Sequence, residues 1–138
     1  MMNFIELRNY IIENSNAFNG ITFQAKDRNS KAVYPAVYLI EKPSTHDIIS
    51  NNGLIIKYNE IGGGQTVRQF AVEIKILSKS LKDLITIRDA LIDMLDFYRC
   101  PCRIARYKKF VLSNDGGAYF DDIANMYVNK LFFDVKLI

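Results

Sequence analysis

Apolar and polar positions change period several times along this chain, and each change marks an element. Phe4, Leu7 and Ile11 recur at helical spacing with Ile5 and Ile12 beside them, which predicts a first helix over residues 3–14. Asn14, Ser15, Asn16 and Asn19-Gly20 then break the pattern. Residues 21–25 read as a strand or an extended connection, and residues 33–41, rich in β-branched and tyrosine side chains, as the first clear strand. Pro35 lacks a ladder donor, so that strand is expected at an edge or starting at the proline. Residues 66–77 alternate strictly: Phe70, Val72, Ile74 and Ile76 face one way, Gln69, Glu73 and Lys75 the other. Ser80-Leu81-Lys82-Asp83 resembles a capping box opening a helix over residues 80–98. A basic strand is predicted over residues 103–112, a turn at Ser113-Asn114-Asp115-Gly116-Gly117, and a final strand from about Ala124 to the end. In that last strand Tyr127, Leu131, Phe133, Val135 and Leu137 oppose Lys130, Asp134 and Lys136.

The pattern loosens between residues 42 and 65. Pro43, Asn51-Asn52-Gly53 and Gly62-Gly63-Gly64 supply turn and hinge chemistry, with a short apolar run, Leu54, Ile55, Ile56 and Tyr58, between them. The stretch reads as a mobile arm, and those four residues as its partner contact. The expected architecture is therefore α+β, in the order α-β-(long arm)-β-α-β-β. A four-stranded, largely antiparallel sheet would carry both helices on one face and leave a charged second face.

The second helix has an unusually wide apolar arc. Leu81, Leu84, Ile85, Leu91, Ile92 and Leu95 form one stripe, and Ile87, Met94 and Tyr98 widen it. A lone subunit needs only about 100° of apolar arc to cover one sheet, so the surplus is expected to meet the first helix or a neighbouring subunit. Arg88 projects into this arc, to snorkel out or to pair with a carboxylate across an interface. Asp89, Asp93 and Asp96 share the polar side of the helix and read as a solvated face, or as an acidic contact surface if a partner docks there.

Composition narrows the function classes. The 138 residues suit one domain, spanning 1–138, and the 49% hydrophobic and 24% charged shares are those of an ordinary globular chain. The net charge of +3 is too weak to imply nucleic acid by itself. The N-terminal segment lacks a signal-peptide pattern and no apolar run is long enough to span a bilayer, so a cytoplasmic, membrane-free protein is expected.

Cys100 and Cys102 flank one proline, a spacing too strained for a disulfide, and read as reduced packing residues. His46, the only histidine, has no companions at ligand spacing, so neither a metal nor a cofactor is expected. No nucleophile is paired with it by any signature, so no catalytic residue is assigned and the chain is read as a non-enzyme. Gly62-Gly63-Gly64-Gln65-Thr66 lacks the Gly-Lys-Ser/Thr ending of a phosphate loop and precedes a strand rather than a helix. Arg99, Arg103, Arg106, Lys108 and Lys109, with Tyr107 and Phe110 interleaved, suit an edge strand guarded by charge, a protein contact, or single-stranded nucleic acid.

The order of elements resembles the tail terminator (tail completion) proteins of long-tailed bacteriophages and prophage-derived tail particles. The resemblance rests on the N-terminal helix, the strand YPAVYLIE, the strand-plus-helix VRQFAVEIKILSKSLKDLITIRDALIDML and the closing strand VNKLFFDVKLI. It spans nearly the whole chain and is a pattern of elements, not a residue signature. It implies a structural protein that forms a homo-oligomeric ring, six-membered in that family, on the last ring of tail tube protein. Such a ring stops tube growth and meets the head-tail connector. The implied setting is the host cytoplasm during assembly and then the virion neck, with DNA met only in passage through a lumen. Within such a ring, Ile87, Arg88, Met94, Tyr98, Asp89 and Asp93 from the helix and Arg103 and Arg106 from the basic strand are the expected subunit interface. A different head-tail connector or neck protein, or a small nucleic-acid-binding module, is the alternative reading.

Overall fold

The computed structural model describes residues 3–63, 67–96 and 107–137. It is an α+β fold with two helices and two sheets, one of three strands and one of five, in place of the single four-stranded sheet expected. Helix α1 spans Asn3–Glu13 and a 3-10 turn follows at Ser15–Phe18. The strands are β1 (Gln24–Asp27), β2 (Val33–Pro35), β3 (Val37–Leu39), β4 (His46–Ile48), β5 (Asn52–Gly63), β6 (Arg68–Ser78), β7 (Tyr107–Asp121) and β8 (Met126–Leu137), with α2 (Leu81–Leu95) between β6 and β7.

The large sheet has the order β3-β5-β6-β8-β7, with β3 parallel to β5 and every other pair antiparallel. Alternation sends Leu54, Ile56, Val72, Ile74, Ile76, Leu131 and Phe133 to one face, where α1 and α2 cover them. Helix α1 lies over β3, and α2 over β6, β8 and β7. Phe4, Leu7 and Ile11 are buried, as the helical spacing requires. Ser80 caps α2, its Oγ accepting the Asp83 N–H at 3.3 Å.

The small sheet, ordered β2-β1-β4, hangs from one end of the large one. Pro35 ends β2, an edge strand, consistent with its missing donor. The predicted strand over residues 33–41 is thus split between two sheets. Ile40 stops it with φ 72, a left-handed conformation that a β-branched residue adopts only under strain.

Two expectations are corrected here. Within the expected arm, the described residues 42–63 form strand β4 followed by β5, and β5 lies inside the sheet between β3 and β6. Leu54 and Ile56 are fully buried and Ile55 and Tyr58 half-buried, so this run is core rather than a partner contact. Register explains it: Leu54 pairs with Ile76 and Ile56 with Ile74, while the buried Asn52 Oδ1 accepts from Ser78 Oγ at 2.6 Å. The second correction concerns Gly116-Gly117, which does not turn the chain. It forms a bulge between Asp115 and Ala118, with Gly117 at φ 78, and β7 runs on to Asp121. Gly116 is there for space, since a Cβ would lie 3.1 Å from the Lys130 carbonyl oxygen.

Candidate assembly interface

Helix α2 buries Leu84, Ile87, Leu91, Met94 and Leu95, a stripe of ordinary width. Ile87 is 0% and Met94 6% exposed within the single chain, so neither is available to a neighbour. Leu81 and Ile85 are left facing outward, on the flank opposite the one anticipated. Arg88 pairs within the chain: its guanidinium lies 3.0 Å from Asp89 and 3.8 Å from Asp115 of β7. Asp96, the last of the acidic row, accepts the Leu112 N–H of β7 at 3.0 Å. The far end of the predicted basic strand and the end of the acidic row are therefore neighbours within one molecule. Asp89 is exposed, and Asp93 lines a shallow hollow between α1 and α2 with Tyr10 and Asn14. Tyr98, Cys100, Cys102, Arg103 and Arg106 lie outside the described residues.

Asp115 is the best-anchored carboxylate on this side. It accepts from Asn129 Nδ2 at 2.8 Å and from the Gly117 N–H at 2.9 Å. Burial pushes its carboxyl up, but these hydrogen bonds and the Arg88 charge outweigh burial and hold it below the usual carboxylate range. A depressed folded-state value stabilises the fold above the unfolded value of 3.8 and is lost as pH falls through the lower, folded one. Asp115→Asn should therefore flatten the acid limb of a stability-versus-pH curve below about pH 4. An unchanged acid limb would count against this anchoring.

His46 sits in a polar corner of the small sheet. Its Nδ1 lies 2.9 Å from the Tyr38 hydroxyl, its Nε2 3.7 Å from Asp27 Oδ2, and Tyr34 stacks on it at 4.9 Å. Burial pushes the Tyr38 hydroxyl up, with the Arg8 charge opposing, so it stays protonated at neutral pH. The arrangement ties β4 to β1 and β3. Among the described residues, no group of three His, Cys, Asp or Glu side chains is placed to hold a metal ion. No helix of the described chain is long and apolar enough to cross a membrane.

The face of the large sheet opposite the helices carries Lys57, Lys75, Lys109, Lys130 and Lys136 against Glu73 and Asp134. The charged second face predicted from alternation is in place. At one end it turns apolar, where Leu77, Met126 and Val128 pack with Ile48 and Ile55.

Exposed apolar residues that helix reasoning missed lie on the β7–β8 hairpin and the small sheet, with Ile40, Ile49 and Ile61 exposed singly elsewhere. Ile123 is 99% exposed at the hairpin end, with Tyr119 and Phe120 about half exposed on the same hairpin. On the other edge, Val33 and Tyr34 are exposed beside a hollow of about 330 Å³ lined by Ile12, Phe23, Pro35 and Val37. The sequence signal was slight: one isoleucine among Asp121, Asp122 and Asn125. Compared with known proteins, the chain matches no family model and no curated protein. The class that the fold defines is an α+β protein.

Proposed function

We propose that this chain is a non-enzymatic subunit of a phage or prophage-derived tail, closing the tail tube as a ring of copies and meeting the head-tail connector. The observation that carries this reading is a pair of separate apolar clusters, Ile123 with Tyr119 and Phe120 at the hairpin end and Val33 with Tyr34 on the small sheet. Two unlike patches on one chain favour head-to-tail association between copies, the geometry that closes rings. The order of elements, two helices on one face of a mostly antiparallel sheet, is in keeping with the terminator resemblance. Ile87 and Met94 of helix α2 do not add to it, because both are buried inside the chain.

The test is to mix the purified chain with assembled tail tubes whose tube protein is encoded beside it, and to image the tubes. Expected are rings of six copies at one end of each tube and no further tube growth. A chain that ignores the tubes, or binds along their sides, overturns the reading. The lysine-rich open face of the sheet favours a second reading, nucleic-acid binding. Retention on DNA that falls steeply with salt, and is abolished by Lys75→Glu with Lys130→Glu, would favour it.

A further inference from the structure

We infer that the end of the β7–β8 hairpin of one copy seats in the apolar hollow beside the small sheet of the next copy. The inference rests on the ring-subunit reading and names the contact that would build it. The partner is therefore a second copy of this chain, meeting the first through unlike surfaces.

The hairpin end is presented in a fixed form. Asp121 Oδ1 accepts the N–H groups of Ile123 at 2.9 Å and Ala124 at 3.2 Å, which closes the turn and holds Ile123 outward. Phe120 is braced edge-on against Tyr127, ring centroids 5.1 Å apart. Little ordering remains to be done when such a tip docks. The hollow is a matching acceptor: Val33 and Pro35 share one face of β2, and Ile12, Phe23 and Val37 complete the apolar lining.

Charge follows the same polarity. Between Ser113 and Asn125 the hairpin carries Asp115, Asp121 and Asp122 and no lysine or arginine. Beside the hollow, Lys26 pairs across the small sheet with Val33 and shares the face of Gln24, which lines the hollow, while Asp47 on its far side is matched by Arg28 at 3.0 Å. Lys31 lies in the turn that joins these strands.

Position makes the two surfaces mates. Tyr127 pairs with Ser78, Ser78 with Asn52, and β3 meets β5 at Leu54, so hairpin end and small sheet lie toward the same end of the large sheet. They sit at its opposite edges, β7 and β3, about 19 Å apart at the usual strand spacing. A second copy displaced sideways brings tip to hollow with little shift along the strands. Unlike patches joined this way give a ring where the rotation closes.

A photo-crosslinking amino acid at position 123 should join copies, with the adduct mapping to residues 33–35 or to Phe23 by mass spectrometry. Ile123→Asp should weaken self-association about tenfold or more in sedimentation, whether the chain assembles alone or on tubes, and leave thermal unfolding unchanged. Val33→Asp should do the same from the other side, and Lys26→Glu should be rescued in part by Asp122→Lys. Rings that persist with Ile123→Asp, and crosslinks elsewhere, overturn this contact and leave the ring reading standing. A chain that stays single at all concentrations and on tubes overturns both.

Discussion

Replacing Ile87 with alanine is expected to lower the free energy of unfolding by about 2–5 kcal/mol. Ile87 is completely buried with Leu84, Leu91, Met94 and Leu95, against strands β6, β8 and β7. Its loss removes apolar burial and leaves a cavity that a close-packed layer of helix and sheet fills only in part. The denaturant midpoint should fall with the slope unchanged, while the folded fraction keeps the assembly state of the parent chain. The opposite pair of results, an unchanged midpoint with lost self-association, would mean that Ile87 faces a neighbour after all.

Phe4→Ala should cost about 3–5 kcal/mol, the range for removing a buried aromatic ring. Phe4 is 1% exposed and joins α1 to three parts of the sheet at once. Its ring stacks on Tyr58 at 4.3 Å, meets Phe70 edge-on at 5.1 Å and faces Tyr107 at 5.8 Å. Phe4→Leu keeps most of the burial and gives up the ring geometry, each aromatic pair contributing about 0.5–1.5 kcal/mol. The two variants measured together in chemical denaturation separate the two contributions. Equal stability of Phe4→Ala and the parent would show that α1 is not anchored by this ring.

The long strands were legible because strict alternation leaves one solution. Phe70, Val72, Ile74 and Ile76, and Leu131, Phe133, Val135 and Leu137, face inward as read. The shorter elements were not: β2, β3 and β4 have three residues each, too few to display a period. Strand β5 was hidden because Leu54, Ile55 and Ile56 are apolar on both faces, Ile55 packing against Leu77 and Val128 on the far side. Nothing local announces that Val37 pairs in parallel with Leu54. On α2, two adjacent arcs are apolar and projection alone does not say which one meets the sheet. Leu81 and Ile85 were counted as core, whereas Ile87 and Met94 fill it. Asp115 and Arg88 were both visible in the sequence, but their pairing depends on the Gly116-Gly117 bulge, which read as a turn. The glycine pair has the same composition signal in either role, and only the length of the following strand separates them.

Ile40 has a consequence for how this sheet meets its surroundings. Its left-handed backbone halts β3 after a hydrogen bond from its N–H to the Ile56 carbonyl, so the remainder of β5, residues 57–63, has no ladder partner on that rim among the described residues. The rim is guarded by Lys57, Glu60 and the irregularity at Ile61, and the outer rim of β7 by its bulges and the Asp96 carboxylate. Growth by strand addition is thereby blocked at both margins, and neighbours are left to grip through side chains. Amide hydrogens along residues 57–63 should accordingly keep trading with deuterated solvent at the same pace before and after copies associate.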